Sequence, residues 1–237
     1  MCKKMNEALE FLRDKYGFPA GEITAQGKKY ILRLADGSCC PLLPWRVERR
    51  FVELKKIIDG QTLENVSTFR FAHFSAEKSL EELLAAELDL MSFLGDSPII
   101  SIFSVVCGDA TCNALVRLAN GMSGSIECGT KLPAGKNDID RHEIIAGRGV
   151  ASDRVVDTQV PQESIYLWNN AGEKCFTDVD TELFGLPNDQ IWVVRAAYAV
   201  LADTSLAETW KTAAKAMQTA AAAAFESNNT KQPVILA

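Results

Sequence analysis

The chain has 237 residues, with 25 Lys or Arg against 31 Asp or Glu and a formal net charge of −6. A hydrophobic fraction of 47% with only 15 Gly and 8 Pro excludes intrinsic disorder and collagen-like or linker-like chains. The length suits one large or two small domains, each able to bury a core.

The acidic balance argues against a nucleic-acid partner, because a phosphate-binding groove needs clustered cations. The tightest basic cluster is Arg46, Arg49, Arg50, Lys55 and Lys56, interrupted by Glu48 and Glu53, and reads as a mixed helix face. No membrane segment is expected. The longest apolar stretch, residues 98–107, contains Ser101 and Ser104, and a span needs roughly 20 residues. The start, Met-Cys-Lys-Lys-Met-Asn-Glu, lacks the apolar core of a signal peptide, so the expected location is cytoplasmic. The seven cysteines form no CxxC pair. They read as small, partly buried thiols, with no metal site expected. Two histidines, His73 and His142, leave little material for a Ser-His or Cys-His nucleophile system.

The elements follow in chain order. Residues 5–16 form a first helix, with Met5, Ala8, Leu9, Leu12 and Tyr16 at helical spacing and Gly17 and Pro19 ending it. Short strands are expected at 22–25 and 29–34, and a second helix at 47–58. Residues 65–74 alternate, with Phe69, Phe71 and His73 on one side of a strand. Ser79 and Glu82 make a capping-box pattern that opens a helix through Leu94, closed by Gly95. Strands are then expected at 99–106, 114–118, 123–128, 142–146, 154–157 and 164–168, with Asn120 and Gly121 in a tight turn. Short connections imply a largely antiparallel sheet. Two helices close the chain, at 189–202 and from a second capping box at Ser205 and Glu208 to about residue 226. Leu206, Trp210, Ala213, Met217, Ala221 and Phe225 make the buried stripe of the last helix, and 233–236 forms an edge strand. The order implies an α+β fold: a large, mostly antiparallel open sheet with helices packed on one face.

One glycine-rich segment, Gly147 to Ser152, follows a strand as a dinucleotide loop would. It lacks a third glycine, and Val155 and Val156 favour extended chain over the helix whose N-terminus would hold a pyrophosphate. It reads as a strand-to-strand turn. No GxxxxGK[ST] loop occurs.

Several segments together resemble the C-terminal domain of the Gfo/Idh/MocA oxidoreductase family. Residues 82–95 resemble its catalytic helix, which carries His-x-x-Asp before a Leu-Gly end. The segment NALVRLANGMSGSIECGTKL is similar to its hairpin, and RHEIIAGRGVASD to its strand and glycine turn. The closing AAAAAFESNNTKQPVIL resembles its last helix and Pro-Val-x-Leu strand, and residues 45–60 its Arg-rich segment. The match covers about residues 41–237, a sheet domain, while residues 1–40 stand as a helix and short strands in place of a Rossmann domain. The resemblance implies hydride transfer with NAD(P) on a sugar or polyol, and a sheet that supports oligomerisation.

The departures from the family are specific. Its Rossmann domain and Glu-Lys-Pro motif are not found in these residues, and aligning on Asp89 puts Ala86 where the catalytic His would stand. Alanine cannot move a proton. At about 100° per residue, Glu82, Ala86, Asp89 and Phe93 share one stripe of the helix. The two acids either face a shared cavity and bind hydroxyls or form a solvated face. Glu87 projects among leucines, so it should lie near a wet edge or meet an Arg, since a lone buried carboxylate is costly. His73 reads as a satisfied sheet residue and His142 as exposed. Lys131 falls where the family contacts substrate, although an ordinary surface lysine fits as well. Of Arg49 and Arg50, one should face inward. The candidate ligand-binding residues are therefore Glu82, Asp89, Lys131 and Arg49, with no catalytic, cofactor or metal residue.

The functional expectation is a cofactor-less relative that serves as an oligomerisation or small-ligand module for a sugar or polyol. The alternative is the substrate-domain half of a split oxidoreductase, with NAD(P) supplied by a separate Rossmann subunit. A homo-oligomer built through the sheet is expected.

Overall fold

A computed structural model describes residues 2–27, 29–153 and 184–236, and the backbone of 165–169 and 172–176. The expected strand at 154–157 lies outside the described residues. The chain divides into two units: Met1–Val47 with Arg154–Lys211, and Glu48–Asp153 with Thr212–Ala237.

Unit 1 opens with helix α1 (Cys2–Tyr16), which buries Met5, Ala8 and Leu9. Strands β1 (Gly21–Gln26), β2 (Lys29–Leu34) and β3 (Cys39–Pro41) form an antiparallel sheet in that order. Edge strand β1 is closed by a side chain of α1. Asn6 Oδ1 accepts from the Ile23 N–H at 2.7 Å, and Asn6 Nδ2 donates to the Ile23 carbonyl at 2.9 Å. The asparagine thus satisfies both backbone groups that a neighbouring strand would take.

Unit 2 begins with helix α2 (Arg49–Asp59) and strand β4 (Val66–Phe74). Helix α3 (Leu80–Gly95) starts on the expected capping box: Ser79 Oγ accepts from the Glu82 N–H, and the Glu82 carboxylate accepts from the Ser79 N–H. Strands β5 (Ile99–Cys107), β6 (Thr111–Leu118), β7 (Ser123–Gly129), β8 (Ile139–Ala146) and β9 (Gly149–Ser152) follow. The backbone of β10 (Ile165–Asn169) and β11 (Gly172–Phe176) forms a separate antiparallel pair. Helices α4 (Asn188–Ala202) and α5 (Ser205–Thr230) and the short strand β12 (Val234–Ile235) complete the described elements. The expected capping box at Ser205 is replaced by the Asp203 carboxylate, which accepts from the Ser205 N–H at 3.0 Å. Aspartate is as good a cap as serine.

The main sheet has seven strands in the order β12-β5-β6-β7-β4-β8-β9. All neighbours are antiparallel except β4 and β7. The crossover from β4 through α3 to β5 leaves a gap that the β6–β7 hairpin fills, and this makes the single parallel pair. Gly121 supplies the positive φ of the hairpin turn (φ 90°). Asn120 holds the turn to the end of α3, with Nδ2 donating to the Gly95 carbonyl at 2.9 Å. The segment from Gly147 is the turn between β8 and β9, as read from the sequence.

Burial alternates along β6: Cys112, Ala114, Val116 and Leu118 are covered, while Thr111, Asn113, Leu115 and Arg117 are exposed. On the covered face, Leu83, Leu84, Leu88 and Met91 of α3 are buried along with Phe69, Phe71, Ile102 and Ile126 of the sheet. The end of α5 is pinned to β5 by fully buried Ser227, whose Oγ accepts from the Ser104 N–H at 3.1 Å and donates to the Gln232 carbonyl at 2.7 Å. The fold is α+β, as the element order implies, with helices on one face of a mostly antiparallel open sheet.

Candidate functional site: a buried histidine–carboxylate chain

The covered face of unit 2 carries a continuous line of charged side chains. Strand alternation puts His73 of β4 on that face with Phe69 and Phe71. The β4–β8 register sets His142 opposite Phe71 and Asp140 opposite His73. Glu87 descends from α3 between the two histidines and is 3% exposed. Its Oε1 lies 2.6 Å from His73 Nδ1, and its Oε2 lies 3.0 Å from His142 Nε2.

Each histidine has a second carboxylate. His142 Nδ1 lies 2.5 Å from Asp153 Oδ2, and His73 Nε2 lies 3.3 Å from Asp138 Oδ2. The line extends to Lys78, which donates to Asp138 at 2.7 Å. At the other end Arg50 donates to Asp153 at 3.0 Å and to Asp140 at 2.5 Å, and it pairs with Glu48. Phe51 and Phe71 pack edge-on against the His142 ring, with centroids 4.7 and 4.9 Å away. Four cations, Lys78, His73, His142 and Arg50, thus alternate with five carboxylates.

A carboxylate only accepts hydrogen bonds, so a ring nitrogen facing one must donate. All four ring nitrogens of His73 and His142 face carboxylates. Both rings are therefore imidazolium cations, with no lone pair to take a proton from a substrate. Burial opposes this charge on His73, but the hydrogen bonds to Asp138 and Glu87 outweigh it and raise its pKa to about 9. Burial likewise opposes charge on His142, and the Glu87 charge with the Asp153 hydrogen bond raises its pKa to about 10. Glu87 pays desolvation, yet the two histidines hold its carboxyl well below the usual range. Burial pushes Glu48 up to about 6 against the pull of Arg50.

The candidate ligand residues sit elsewhere. Glu82 is half-buried, with its carboxylate engaged in the capping box. Asp89 is buried at 4% exposure on the same helix. Lys131 is exposed and stands 3.8 Å from Asp109. Arg49 is exposed, whereas its neighbour Arg50 faces inward, so one of the two turns in as expected.

Two expectations are corrected. His142 is buried at 1% exposure, because its strand position points to the covered face. Glu87 meets two histidines rather than an arginine or a wet edge. The sequence reading also left out Glu48, Asp138, Asp140 and Asp153. One signal was available: Asp140, His142 and Ile144 alternate, and an apolar Ile at the end of that series marks the inward face. Among the described residues, no group of three or more His, Cys, Asp or Glu is arranged to hold a metal ion. No described helix is long and apolar enough to cross a membrane.

Comparison with solved structures gives a fold match. A scyllo-inositol dehydrogenase of Lactobacillus casei, solved with NAD(H) and scyllo-inositol, aligns with TM-score 0.57 and 15% identity. It covers 81% of this chain and 63% of its own. A myo-inositol 2-dehydrogenase of Lactobacillus plantarum aligns with TM-score 0.58 and 12% identity, covering 82% of this chain and 64% of its own. The fold is that of the Gfo/Idh/MocA inositol dehydrogenases. The chain spans less than two thirds of the length of these dehydrogenases. No family model matches the sequence, and no curated protein matches it. At such identity the likeness to the Gfo/Idh/MocA dehydrogenases establishes architecture, and function has to be argued from the side chains.

Proposed function

We propose that this chain is a cofactor-less relative of the inositol dehydrogenases whose sheet unit works as a homo-oligomerisation module. The observation that carries the reading is the open face of the seven-stranded sheet. Every exposed large hydrophobic residue of unit 2 lies on it: Val105 on β5, Leu115 on β6, Ile139 on β8, Val150 on β9 and Ile235 on β12. Leu115, on a central strand, is 55% exposed. Apolar residues gathered on one face mark an association surface.

The occupant we assign is a second copy. The face carries both signs of charge, with Arg70, Arg117 and Arg141 against Glu127 and Glu143, so it can complement itself. Five strands with four outward rows each, with two more rows on β9 and one on β12, at about 4.8 Å between strands and 6.8 Å between rows give roughly 750 Å² per copy, close to the usual area of a stable interface, about 800 Å² per partner.

The chemistry of α3 supports a non-catalytic role for the residues in hand. Ala86 stands where the resemblance puts a catalytic histidine, and the Glu82 carboxylate already serves the helix cap. Sugar or polyol binding through Glu82 and Asp89 is a weaker reading for that reason. A split oxidoreductase gains no general base from His73 or His142, whose ring nitrogens are all committed.

Light scattering with sedimentation tests the reading. The chain should be a dimer or larger at micromolar concentration, and Leu115→Arg should convert it to a monomer with an unchanged CD spectrum. A wild-type monomer would refute the module. Saturable NADH or NADPH binding by the chain, followed by fluorescence, would refute the cofactor-less part.

A further inference from the structure

The rows of the open face carry an asymmetry. On β6 and β7, Arg117 stands opposite Ser123, Leu115 opposite Ser125, and Asn113 opposite Glu127. Arg117 and Glu127 are therefore two rows apart on neighbouring strands, about 14 Å in strand geometry. That is too far for a pair within one copy. Among the described residues neither has an ion-pair partner, whereas Arg70 is bridged to Glu143 at 2.9 Å. Both side chains point out of the same face, one row to either side of exposed Leu115.

The geometry points to Arg117 of one copy meeting Glu127 of the other, about a twofold axis that crosses β6 and β7 at Leu115 and Ser125. This rests on the homo-oligomer reading above and adds its register. A twofold axis in the plane of the interface, running across the strands through that row, exchanges the Arg117 row with the Glu127 row. It sets Arg117 of the second copy one strand, about 4.8 Å, to the side of Glu127, within reach of an arginine fork. Two such pairs form, as symmetry requires. The same axis lays Leu115 on Leu115 of the second copy at the centre. Arg70 and Glu143 share the axis row on adjacent strands, so each stands over its own counterpart in the second copy and has the opposite charge one strand, about 4.8 Å, to the side. The strands of the two sheets stay nearly aligned, as in face-to-face sheet packing. A slip by one row would put Arg117 over a neutral serine or leucine, so the pair selects the register.

The test is a charge swap read by sedimentation of the full chain. Arg117→Glu and Glu127→Arg should each raise the dimer Kd at least tenfold, because each makes two like-charge contacts. A one-to-one mixture of the two variants should regain dimer near the wild-type Kd, since the mixed dimer keeps one native Arg117–Glu127 pair and restores the other with its charges reversed. The double variant should do the same. CD melts check that unit 2 stays folded; if a swap unfolds it, Arg117→Gln and Glu127→Gln carry the test as a double-mutant cycle. A wild-type dimer whose Kd ignores both swaps, or swaps that the mixture does not rescue, overturns the register and leaves the homo-oligomer reading standing. A wild-type monomer overturns both.

Discussion

Glu87→Gln is the sharpest perturbation available in unit 2. The carboxylate sits 3% exposed between two imidazolium rings, at 2.6 and 3.0 Å. Glutamine keeps the volume but removes the charge, and its amide nitrogen must face a donor ring. Breaking a buried ion pair from one side costs about 3–5 kcal/mol. With a urea slope of about 2 kcal/mol/M for a small unit, the midpoint should fall by roughly 1.5–2.5 M. The four tryptophans, Trp45, Trp168, Trp192 and Trp210, all belong to unit 1, so far-UV CD rather than fluorescence follows this transition. The pH dependence sharpens the test. Both histidines have folded pKa values, about 9 and about 10, above the ordinary 6.5. Their stabilisation is complete below pH 6.5 and is lost as pH rises through 9 to 10, because the unfolded chain has already released those protons. Glu87, shifted down, contributes above its ordinary 4.5 and loses that contribution as the solution becomes more acidic. The wild-type midpoint should therefore fall between pH 7 and 9.5, while Glu87→Gln should show a much flatter profile over the same range. A neutral substitution, or a wild type whose midpoint is constant over that range, would refute the bridged-imidazolium arrangement.

Two further outcomes follow from the same reasoning. Arg50→Met strands Glu48, Asp140 and Asp153 without their shared cation and should cost about 3–5 kcal/mol by urea titration with CD. The penalty should be smaller at pH 5 than at pH 8, since Glu48 takes up a proton near pH 6. In unit 1, Asn6→Ala leaves the N–H and carbonyl of Ile23 without their side-chain partner and should cost about 1–3 kcal/mol, read by tryptophan fluorescence.

Local chemistry made much of the architecture legible before any coordinates. The Ser79–Glu82 cap, the alternation of Phe69, Phe71 and His73, and the Asn120–Gly121 turn each depend on residues close in sequence. Short-range periodicity and turn geometry suffice for such features. Even the inward turn of Arg50 beside outward Arg49 follows from adjacent positions on a helix.

The centre of unit 2 was decided otherwise. His73, Glu87 and His142 lie 14 and 55 residues apart along the chain and meet only because β8 docks on β4 in one register. A slip of one residue would turn His142 to the open face, and its local sequence alone suggests only that it is exposed. The parallel pairing of β4 with β7 is of the same kind, since it follows from a hairpin inserted into a crossover rather than from either strand. The amino acids themselves determined which segments are strands and helices and which strand faces are apolar. Tertiary structure alone decided which faces meet, and so turned a carboxylate that looked isolated into the middle of a charged chain, because ionic partners are set by distance in space and long-range register leaves no mark on local sequence.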